Sequence, residues 1–229
     1  MRTATALGTP RVHFRRTDST NGRARELASR GAPHGTLVTA TEQTAGRGRQ
    51  GRTWTAPPGR AILCSLVIRE PPRLLPLAAG VAVAELIGPQ AGVKWPNDVL
   101  VEQRKLAGIL VEGRPQERWA VLGIGLNVAV REEEFPPELI GRAGSMGLEP
   151  DAVEPALERM LAGLSRWLER PPAEVLQALR GRDALVGRDV RWAGGAGQAA
   201  GIDDDGRLLV VTEGGRITLD AGEVHLVGP

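Results

Sequence analysis

The sequence predicts an α+β fold followed by a small β-barrel, and three features indicate it. Between residues 12 and 127, apolar runs of strand length are separated by glycine- and proline-rich turns. Residues 74–87 form a continuous apolar segment that is long enough for a helix packed on a sheet. From Gly187 onward the pattern changes to short strands separated by turns. We therefore predict one domain at residues 1–182 and a small β-domain at residues 183–229.

Length and composition exclude several classes of protein. With 229 residues, of which 41% are hydrophobic, the chain can bury a substantial core and is not disordered. The net charge of +2 is too small to indicate a nucleic-acid-binding surface, although the sequence pI is about 9.3. The single cysteine, Cys64, lies in an apolar run, which excludes an internal disulfide and favours a buried thiol. Without a signal peptide or an apolar stretch of membrane length, we expect a cytoplasmic protein.

The first elements are a strand, a capped helix and a second strand. Residues 12–17 alternate as a strand does, and the polar residues 18–21 give the strongest helix N-cap signal of the chain. A helix is expected at residues 22–29 and a strand at residues 35–41. Capping alone explains residues 18–21, but a turn from strand to helix also presents hydroxyl and N–H groups to a ligand.

Apolar runs continue to residue 127. We predict a buried strand at residues 61–68, the core helix at residues 74–87, and a strand at residues 119–127. Between the last two, residues 99–112 read as a hairpin with its turn near residues 102–104.

The second half is predicted to be more irregular before the β-domain begins. Residues 131–147 form a loop, and helices follow at residues 151–168 and 173–179. Residues 203–206 and 213–215 are hairpin turns, and the three aspartates of the first are expected to be solvated rather than metal ligands. The strands of this domain are predicted at residues 189–192, 198–202, 207–212, 216–219 and 223–227.

A loop at residues 44–54, TAGRGRQGRTW, connects two of the predicted strands. Its glycines allow backbone N–H groups to approach an anion, and its arginines supply forked cationic donors. These residues are Gly46, Gly48 and Gly51, with Arg47, Arg49 and Arg52. Arg-Gly runs also occur in disordered RNA-binding tails, but this one does not repeat and lies between strands. The loop is therefore predicted to hold phosphate and carboxylate groups.

Lysine and asparagine are rare in this arginine-rich chain. The lysines are Lys94 and Lys105, and the asparagines are Asn21, Asn97 and Asn127. Arginine cannot imitate a compact ammonium group, and neither Asp nor Gln reproduces the short amide of Asn. The rarity is a hint that these five positions need their residue types. The alternative is that the positions of so few residues carry no meaning.

Several motifs in a fixed order resemble the biotin protein ligase family. The motifs are GRGRQGRTW at residues 46–54, KWPND at 94–98, KLAGIL at 105–110, GIGLN at 123–127 and STN at 19–21. The resemblance extends from about residue 12 to the C-terminus. It implies a mixed, largely antiparallel sheet flanked by helices, related to class II synthetase catalytic domains, and a small barrel of the Src-homology-3 kind.

The resemblance also implies a reaction. ATP and magnesium are co-substrates, biotin is activated as biotinyl-5′-AMP, and its acyl group passes to a lysine of a biotin carboxyl carrier protein. Because two anions must be brought together, we expect Lys105 to bridge the carboxylate and the α-phosphate. Arg49, and more weakly Arg47 and Arg52, would close over the intermediate. Asp98 would be either a magnesium ligand or the base for the incoming lysine.

By the same resemblance, substrate and nucleotide contacts fall on particular residues. The ureido end of biotin would bind Ser19, Thr20, Asn21 and Gln43, and Gly108 would leave room for its rings. Gly48, Trp54 and the arginines would complete the biotin side, and Trp95 would shape a wall. The nucleotide side would comprise Arg47, Arg49, Arg52, Lys94, Asn97 and Asn127.

Some expectations rest on departures from the family pattern. The catalytic pattern begins by residue 12, so we expect no N-terminal DNA-binding domain and no operator binding. Residues 129–137 correspond to the adenine-covering loop, where Phe135 is the one large aromatic. A homodimer is possible. Two alternatives stay open. One is a lipoate or octanoate ligase of the same fold, whose substrate has no ureido group. The other is a nucleic-acid-binding module that uses the arginine loop.

Overall fold

The computed structural model describes residues 7–220 and 222–227, so the ends of both predicted domains, residues 1–6 and 228–229, lie outside it. The described chain forms two sheets with flanking helices. The helices are α1 (Thr20–Ser29), α2 (Leu75–Ile87), α3 (Val153–Leu168) and α4 (Pro172–Arg180). The strands of the first sheet are β1 (Arg11–Thr17), β2 (Leu37–Gln43), β3 (Ala61–Arg69), β4 (Gly92–Lys94), β5 (Asp98–Val101), β6 (Arg104–Arg114) and β7 (Trp119–Asn127). Those of the second are β8 (Asp189–Trp192), β9 (Gly195–Ile202), β10 (Leu208–Thr212), β11 (Gly215–Leu219) and β12 (His225–Leu226).

The large sheet is mixed and mostly antiparallel, which confirms the predicted fold class. Its order is β1-β2-β3-β7-β6-β5-β4, and β1 and β2 form its parallel pair. Helix α1 makes the crossover between those two strands, as a parallel pair requires. The remaining neighbours are antiparallel, with β3, β7 and β6 at the centre.

The two faces of the large sheet have different coverings. One face packs against α2 and α3 through a large apolar cluster that includes Leu66, Leu122 and Ile109. On the other face, α1 covers a smaller cluster around Val38, Val67 and Val121. Because strand side chains alternate between faces, the residues beyond α1 on this second face are free to form a cleft.

The C-terminal strands form one antiparallel sheet in the order β11-β10-β9-β8-β12, where the small barrel was predicted. Its apolar residues, among them Val190, Leu208 and Val210, join the same cluster as α2 and α4. The indole of Trp95 donates a hydrogen bond of 3.0 Å to the carbonyl of Gly206. The core is thus continuous between the two sheets, and the boundary at residue 182 stays a prediction.

The predicted hairpin turn, the irregular segment and all four helices are confirmed, with small shifts of their ends. Three strand predictions were wrong in extent: β2 runs two residues further, to Gln43, β9 begins at Gly195, and β12 has only two residues. Strand β4 was not predicted, because three residues ending in a lysine show no recognisable alternation. In the described part of the chain, no helix has the length and apolar content to cross a bilayer.

Candidate active site

The cleft has a floor of three glycines at the centre of the large sheet. Gly108 on β6 pairs with Gly125 on β7, and Gly123 lies two residues before it on the same face. A Cβ atom on Gly123 would come within 2.0 Å of Asn21 Oδ1, and one on Gly125 within 2.4 Å of Trp54 Cε2. No side chain fits at either position, so the indole of Trp54 and the amide of Asn21 lie directly on the backbone.

One end of the cleft is a buried cluster of polar side chains. Ser19 is the N-cap of α1, and its hydroxyl accepts a hydrogen bond from the N–H of Gly22. Gln43, the last residue of β2, accepts with its Oε1 from the N–H of Thr20 at 2.7 Å. Ser19, Thr20 and Asn21 are each at most 4% exposed. The polar groups are therefore held where β1 and β2 end. Buried polar groups need hydrogen-bond partners, and these residues supply them to one another.

The asparagine at this end is held from two sides. Asn21 Oδ1 lies 2.6 Å from the hydroxyl of Ser65, a fully buried serine on β3, and Asn21 Nδ2 donates to Glu112 Oε2 at 2.8 Å. Neither Ser65 nor Glu112 was predicted as a site residue. The signal that could have found Ser65 is a lone hydroxyl in the apolar strand of residues 61–68.

The arginine loop folds back on itself as a short hairpin. The N–H of Gly48 donates to the carbonyl of Arg52 at 2.7 Å, and the N–H of Trp54 donates to Gly46 at 2.9 Å. A Cβ on Gly46 would lie 2.3 Å from the carbonyl oxygen of Trp54, so the two arms meet too closely for any other residue. At the tip, Gly51 has a φ of +77°, a region that favours glycine.

The three arginines of the loop reach different partners. Arg47 pairs with Glu112 at 3.0 Å, and Arg52 pairs with Glu223 in the segment before β12. Arg49 donates to Asn97 Oδ1 at 3.1 Å and to the carbonyl of Gly222 at 3.0 Å. Partial burial lowers the pKa of Arg49, but its guanidinium stays charged at neutral pH. The loop thus contacts both sheets through side chains that carry positive charge.

The other end of the cleft is a cationic cluster around one carboxylate. Lys105 Nζ lies 2.6 Å from Asp98 Oδ1, and Lys94 Nζ lies 3.8 Å from Asp98 Oδ2. Lys105 Nζ also lies 5.7 Å from the ring centre of Trp54. Burial lowers the pKa of Lys94, and the nearby Asp98 partly opposes this. Two ammonium groups therefore share one carboxylate, which leaves the cluster with excess positive charge.

A bulge in the sheet aims Lys105 into the cleft. The pairing of β5 with β6 shifts register at Leu106, whereas regular alternation would have placed Lys105 on the face of Ala107. A Cβ on Gly108 would lie 3.3 Å from Lys105 Nζ, so the ammonium group lies over the glycine floor. The loop before α3 clamps the lysine backbone, since the N–H of Lys105 donates to Arg142 and its carbonyl accepts from Gly144.

The structure brings nearly all of the predicted site residues into this one cleft. Its lining includes Ser19, Thr20, Asn21, Gln43, Arg47, Gly48, Arg49, Arg52, Trp54, Lys94, Trp95, Asn97, Asp98, Lys105 and Gly108. Asn127 is the exception: it is not part of the lining, and its Nδ2 donates to the carbonyl of Gly144 at 2.9 Å. Phe135 is buried with Val130 and Ala143. The nucleotide contact of Asn127 stays a prediction.

Asp98 is surrounded by cations. Both of its oxygens face ammonium groups, and among the described residues no three metal-binding side chains come together. Magnesium binds in nucleotide sites through one or two carboxylates together with substrate phosphates, so it does not need such a group. A contact of Asp98 with magnesium, or its alternative role as the base for the incoming lysine, therefore stays a prediction.

A cleft with a hydrogen-bonding end, a glycine floor and a cationic end is suited to a ligand that is polar at one end and anionic at the other. Comparison with known proteins agrees. The chain belongs to the biotin/lipoate A/B protein ligase family, which it matches over residues 13–128. Residues 196–227 match the biotin protein ligase C-terminal domain.

Similar proteins carry biotin ligase names. The biotin–[acetyl-CoA-carboxylase] ligase of Mycobacterium tuberculosis is 36% identical, with 92% of this chain and 86% of that protein covered. The bifunctional ligase/repressor BirA of Bacillus subtilis is 34% identical, with 91% and 71% covered. Among solved structures, biotin protein ligase from Aquifex aeolicus in complex with biotin and ATP superposes with a TM-score of 0.78 at 28% identity, covering 95% of this chain and 98% of that one.

Proposed function

We propose that this protein is an ATP-dependent biotin protein ligase, which forms biotinyl-5′-AMP and transfers biotin to a lysine of a biotin carboxyl carrier protein. The observation that carries the proposal is the placement of two different ends on one glycine floor. The polar end holds Thr20, Asn21 and Gln43, and the cationic end holds Lys94 and Lys105. Relatives named as biotin ligases over most of the chain support the same activity.

In the first step, a biotin carboxylate oxygen attacks the α-phosphorus of ATP, and pyrophosphate leaves. Both reactants are anions, so the residues must hold them together and neutralise their charge. Lys105 would perform this task, because its ammonium group lies at the cationic end and over the glycine floor. Lys94, Asn97 and the loop arginines supply further donors toward the phosphates. Magnesium would enter with the triphosphate and neutralise part of its charge.

Asp98 is best assigned to positioning. It holds Lys105 and Lys94 together before substrates arrive, and its negative charge keeps the two ammonium groups from repelling each other. When the α-phosphate binds, it offers Lys105 an alternative anionic partner. This role needs neither a metal nor a proton transfer at Asp98.

In the second step, the amine of the acceptor lysine, after losing its proton, attacks the acyl carbon of the adenylate, and AMP leaves. The acyl-adenylate must be shielded from water until then. Arg49 is placed to cover it, because its guanidinium already spans from the loop to Asn97 and Gly222 at the cleft mouth. Arg47 and Arg52 would assist from either side of the loop.

The polar end favours biotin over lipoate. A ureido group has two N–H donors and a carbonyl acceptor, and a site built for them rejects an analogue that leaves its buried polar groups unpaired. Lipoate has no such group. Ser19, Thr20, Asn21 and Gln43 would gain no hydrogen bonds from it.

Incubation of the protein with ATP, magnesium, a carrier domain and either biotin or lipoate tests the function. We expect biotinylation, detected by streptavidin blot, of the carrier domain but not of a carrier whose acceptor lysine is replaced by arginine. Mass spectrometry should detect biotinyl-5′-AMP when the carrier is omitted. Preferential attachment of lipoate would contradict the proposal, and so would biotin transfer without ATP.

The acceptor and the setting follow from this activity. We infer a carrier domain of a biotin-dependent carboxylase as the protein partner, and the cytoplasm as the place where both meet. A homodimer remains part of the proposal, and light scattering of the free protein and of the biotin complex would test it.

A further inference from the structure

Polar contacts run without a break from Gln43, at the end of β2, back to Arg47 in the arginine loop. Their first part joins the helix N-terminus to β3. Thr20 reaches Gln43 Oε1 with its N–H at 2.7 Å and its hydroxyl at 3.0 Å. The hydroxyls of Thr20 and Ser65 lie 2.8 Å apart, and that of Ser65 lies 2.6 Å from Asn21 Oδ1.

The second part joins Asn21 to the loop through one carboxylate. Asn21 Nδ2 donates to Glu112 Oε2 at 2.8 Å, while Glu112 Oε1 lies 3.0 Å from Arg47 Nη2 and 3.8 Å from Arg25 Nη1. Glu112 is on β6, four residues after the glycine floor position at 108. Its side chain is only 19% exposed, so it meets these partners largely out of water.

The carboxylate decides the direction of these hydrogen bonds. An ionised carboxylate only accepts, so Asn21 must turn its NH₂ group toward Glu112 and its oxygen toward Ser65. Asn21 Oδ1 can only accept in turn, and therefore the single proton of the Ser65 hydroxyl points at Asn21. Ser65 is left as an acceptor toward Thr20, whose single hydroxyl proton can go to Ser65 or to Gln43 Oε1 but not to both. The hydrogen-bond directions at Asn21 and Ser65 thus follow from an acceptor at position 112.

We propose that Glu112 is a positioning residue with two tasks. It fixes the hydrogen-bond directions at Asn21 and Ser65, and it ties Arg47, hence the first arm of the arginine loop, to Asn21. The inference rests on the proposed function, because it names the residue that prepares the polar end for a ligand with both donors and acceptors. Glu112 itself need not touch that ligand.

Two substitutions separate the tasks. Glu112→Gln can still accept from Asn21 with its amide oxygen but has no charge for Arg47, so we expect faster loss of bound adenylate and less than a threefold change in the KM for biotin. Glu112→Leu removes both contacts and leaves a buried NH₂ group unpaired, so we expect the KM for biotin to rise roughly 5- to 150-fold. The KM for ATP should change less than twofold in both.

A reversal of the hydrogen bond gives the sharpest test. Asn21→Asp places a second carboxylate against Glu112 and should weaken biotin binding, measured by calorimetry without ATP, at least tenfold. In the double variant Asn21→Asp with Glu112→Gln, the new carboxylate at position 21 can accept two hydrogen bonds. One comes from the NH₂ group of the glutamine at position 112, and the other from the hydroxyl of Ser65. We expect the double variant to regain at least half of the loss in binding free energy. A double variant no better than Asn21→Asp alone would overturn the proposal.

The matched control is Glu70→Gln, which removes an exposed ion pair with Arg118 at 2.8 Å outside the cleft. Thermal unfolding of every variant shows whether the fold is intact. Equal effects of Glu70→Gln and Glu112→Gln on adenylate retention would refute the loop task. If the unaltered protein bound no biotin, the proposed function would fail first. If the unaltered protein bound biotin and the Glu112 variants matched it in biotin binding and adenylate retention, only the role proposed for Glu112 would be refuted.

Discussion

The polar end of the cleft and the arginine loop are built in different ways. At the polar end, Ser19, Thr20 and Asn21 are at most 4% exposed and belong to the start of a helix that packs on the sheet. In the arginine loop, the side chains of Arg47 and Arg52 are 45% and 53% exposed and are held by ion pairs. The comparison teaches that the part that selects the ligand is rigid before binding, whereas the part that covers it is held by contacts that can be exchanged.

The energies of these contacts explain the difference. A buried hydrogen-bond partner that is removed leaves its neighbour unpaired at a cost of about 1–3 kcal/mol. Exposed ion pairs contribute about 0–1 kcal/mol, so Arg52 can leave Glu223 for a phosphate group at little cost. We expect substrate anions to replace the carboxylates that now hold Arg47 and Arg52. Closure of the loop would then be an exchange of anionic partners.

The largest expected effect is at the cationic end. Lys105→Ala removes the ammonium group over the glycine floor, and we expect formation of biotinyl-5′-AMP to fall by about 10²–10³-fold or more, by analogy with loss of a transition-state donor. The rate at which labelled biotinyl-5′-AMP forms from α-³²P-ATP measures this effect. Arg104→Ala, next to it on the surface and paired with Glu132, is the control. Full activity of Lys105→Ala with an intact fold would refute its bridging role.

The next effect breaks the rigid end. Gly123→Ala would place a methyl group 2.0 Å from Asn21 Oδ1, so the asparagine must move and biotin binding should weaken by roughly 10²-fold, as about 3 kcal/mol of lost hydrogen bonding implies. Calorimetry with biotin alone measures it. Gly163→Ala on α3 is the control, since its Cβ would meet nothing closer than 3.8 Å. Equal affinity of the two variants would contradict a preformed polar end.

A smaller effect sharpens the contrast by loosening only the loop. Arg49→Gly removes the contacts with Asn97 and Gly222. We expect biotin affinity to change less than fivefold, while bound adenylate escapes faster and labels lysines of bystander proteins. Streptavidin blots of a mixture with serum albumin would show this labelling. Unchanged retention of the adenylate in this variant would count against the covering role.

The smallest effect lies outside both ends. Arg11 on β1 donates to Glu154 on α3, which lowers the pKa of that carboxyl group. A lowered folded-state pKa means that the stabilisation is present above the unfolded pKa and is lost as pH falls through the folded one. Because Glu154 is 53% exposed, Glu154→Gln should cost at most about 1 kcal/mol at pH 7.

Denaturant unfolding at pH 7 and at pH 3 measures this stability effect. The variant and the unaltered protein should differ at pH 7 and converge at low pH. The KM for biotin should not change. A difference in stability that grows as pH falls would contradict the assignment.

Contiguous motifs made much of the site predictable from sequence. The residues at 19–21, the arginine loop and Lys105 each belong to a short segment with recognisable chemistry, and the structure brings them into one cleft. Ser65 and Glu112 were missed because their meaning depends on Asn21, which is 44 and 91 residues away. Glu223 was missed for the same reason, since it meets the loop only after the second sheet packs on the first.

The fold was predictable where an apolar pattern extends over a whole helix or strand. It was not predictable where a single residue changes the geometry of a strand. Helix α3 shows a clear apolar face, and β3 is a nearly continuous apolar run. The bulge at Leu106 left no sequence signal, although it decides which way Lys105 points. Asn127 matched a motif, but its amide is engaged by the backbone of Gly144, a contact that no local pattern specifies.

A crystal structure with a non-hydrolysable biotinyl-adenylate analogue tests the central claim most directly. The account predicts the ureido ring within hydrogen-bond distance of Thr20, Asn21 or Gln43, and Lys105 Nζ moved from Asp98 to the bridging group that replaces the α-phosphate. Arg49 should lie over the analogue. A ureido ring at the lysine end, or Lys105 still paired only with Asp98, would contradict it.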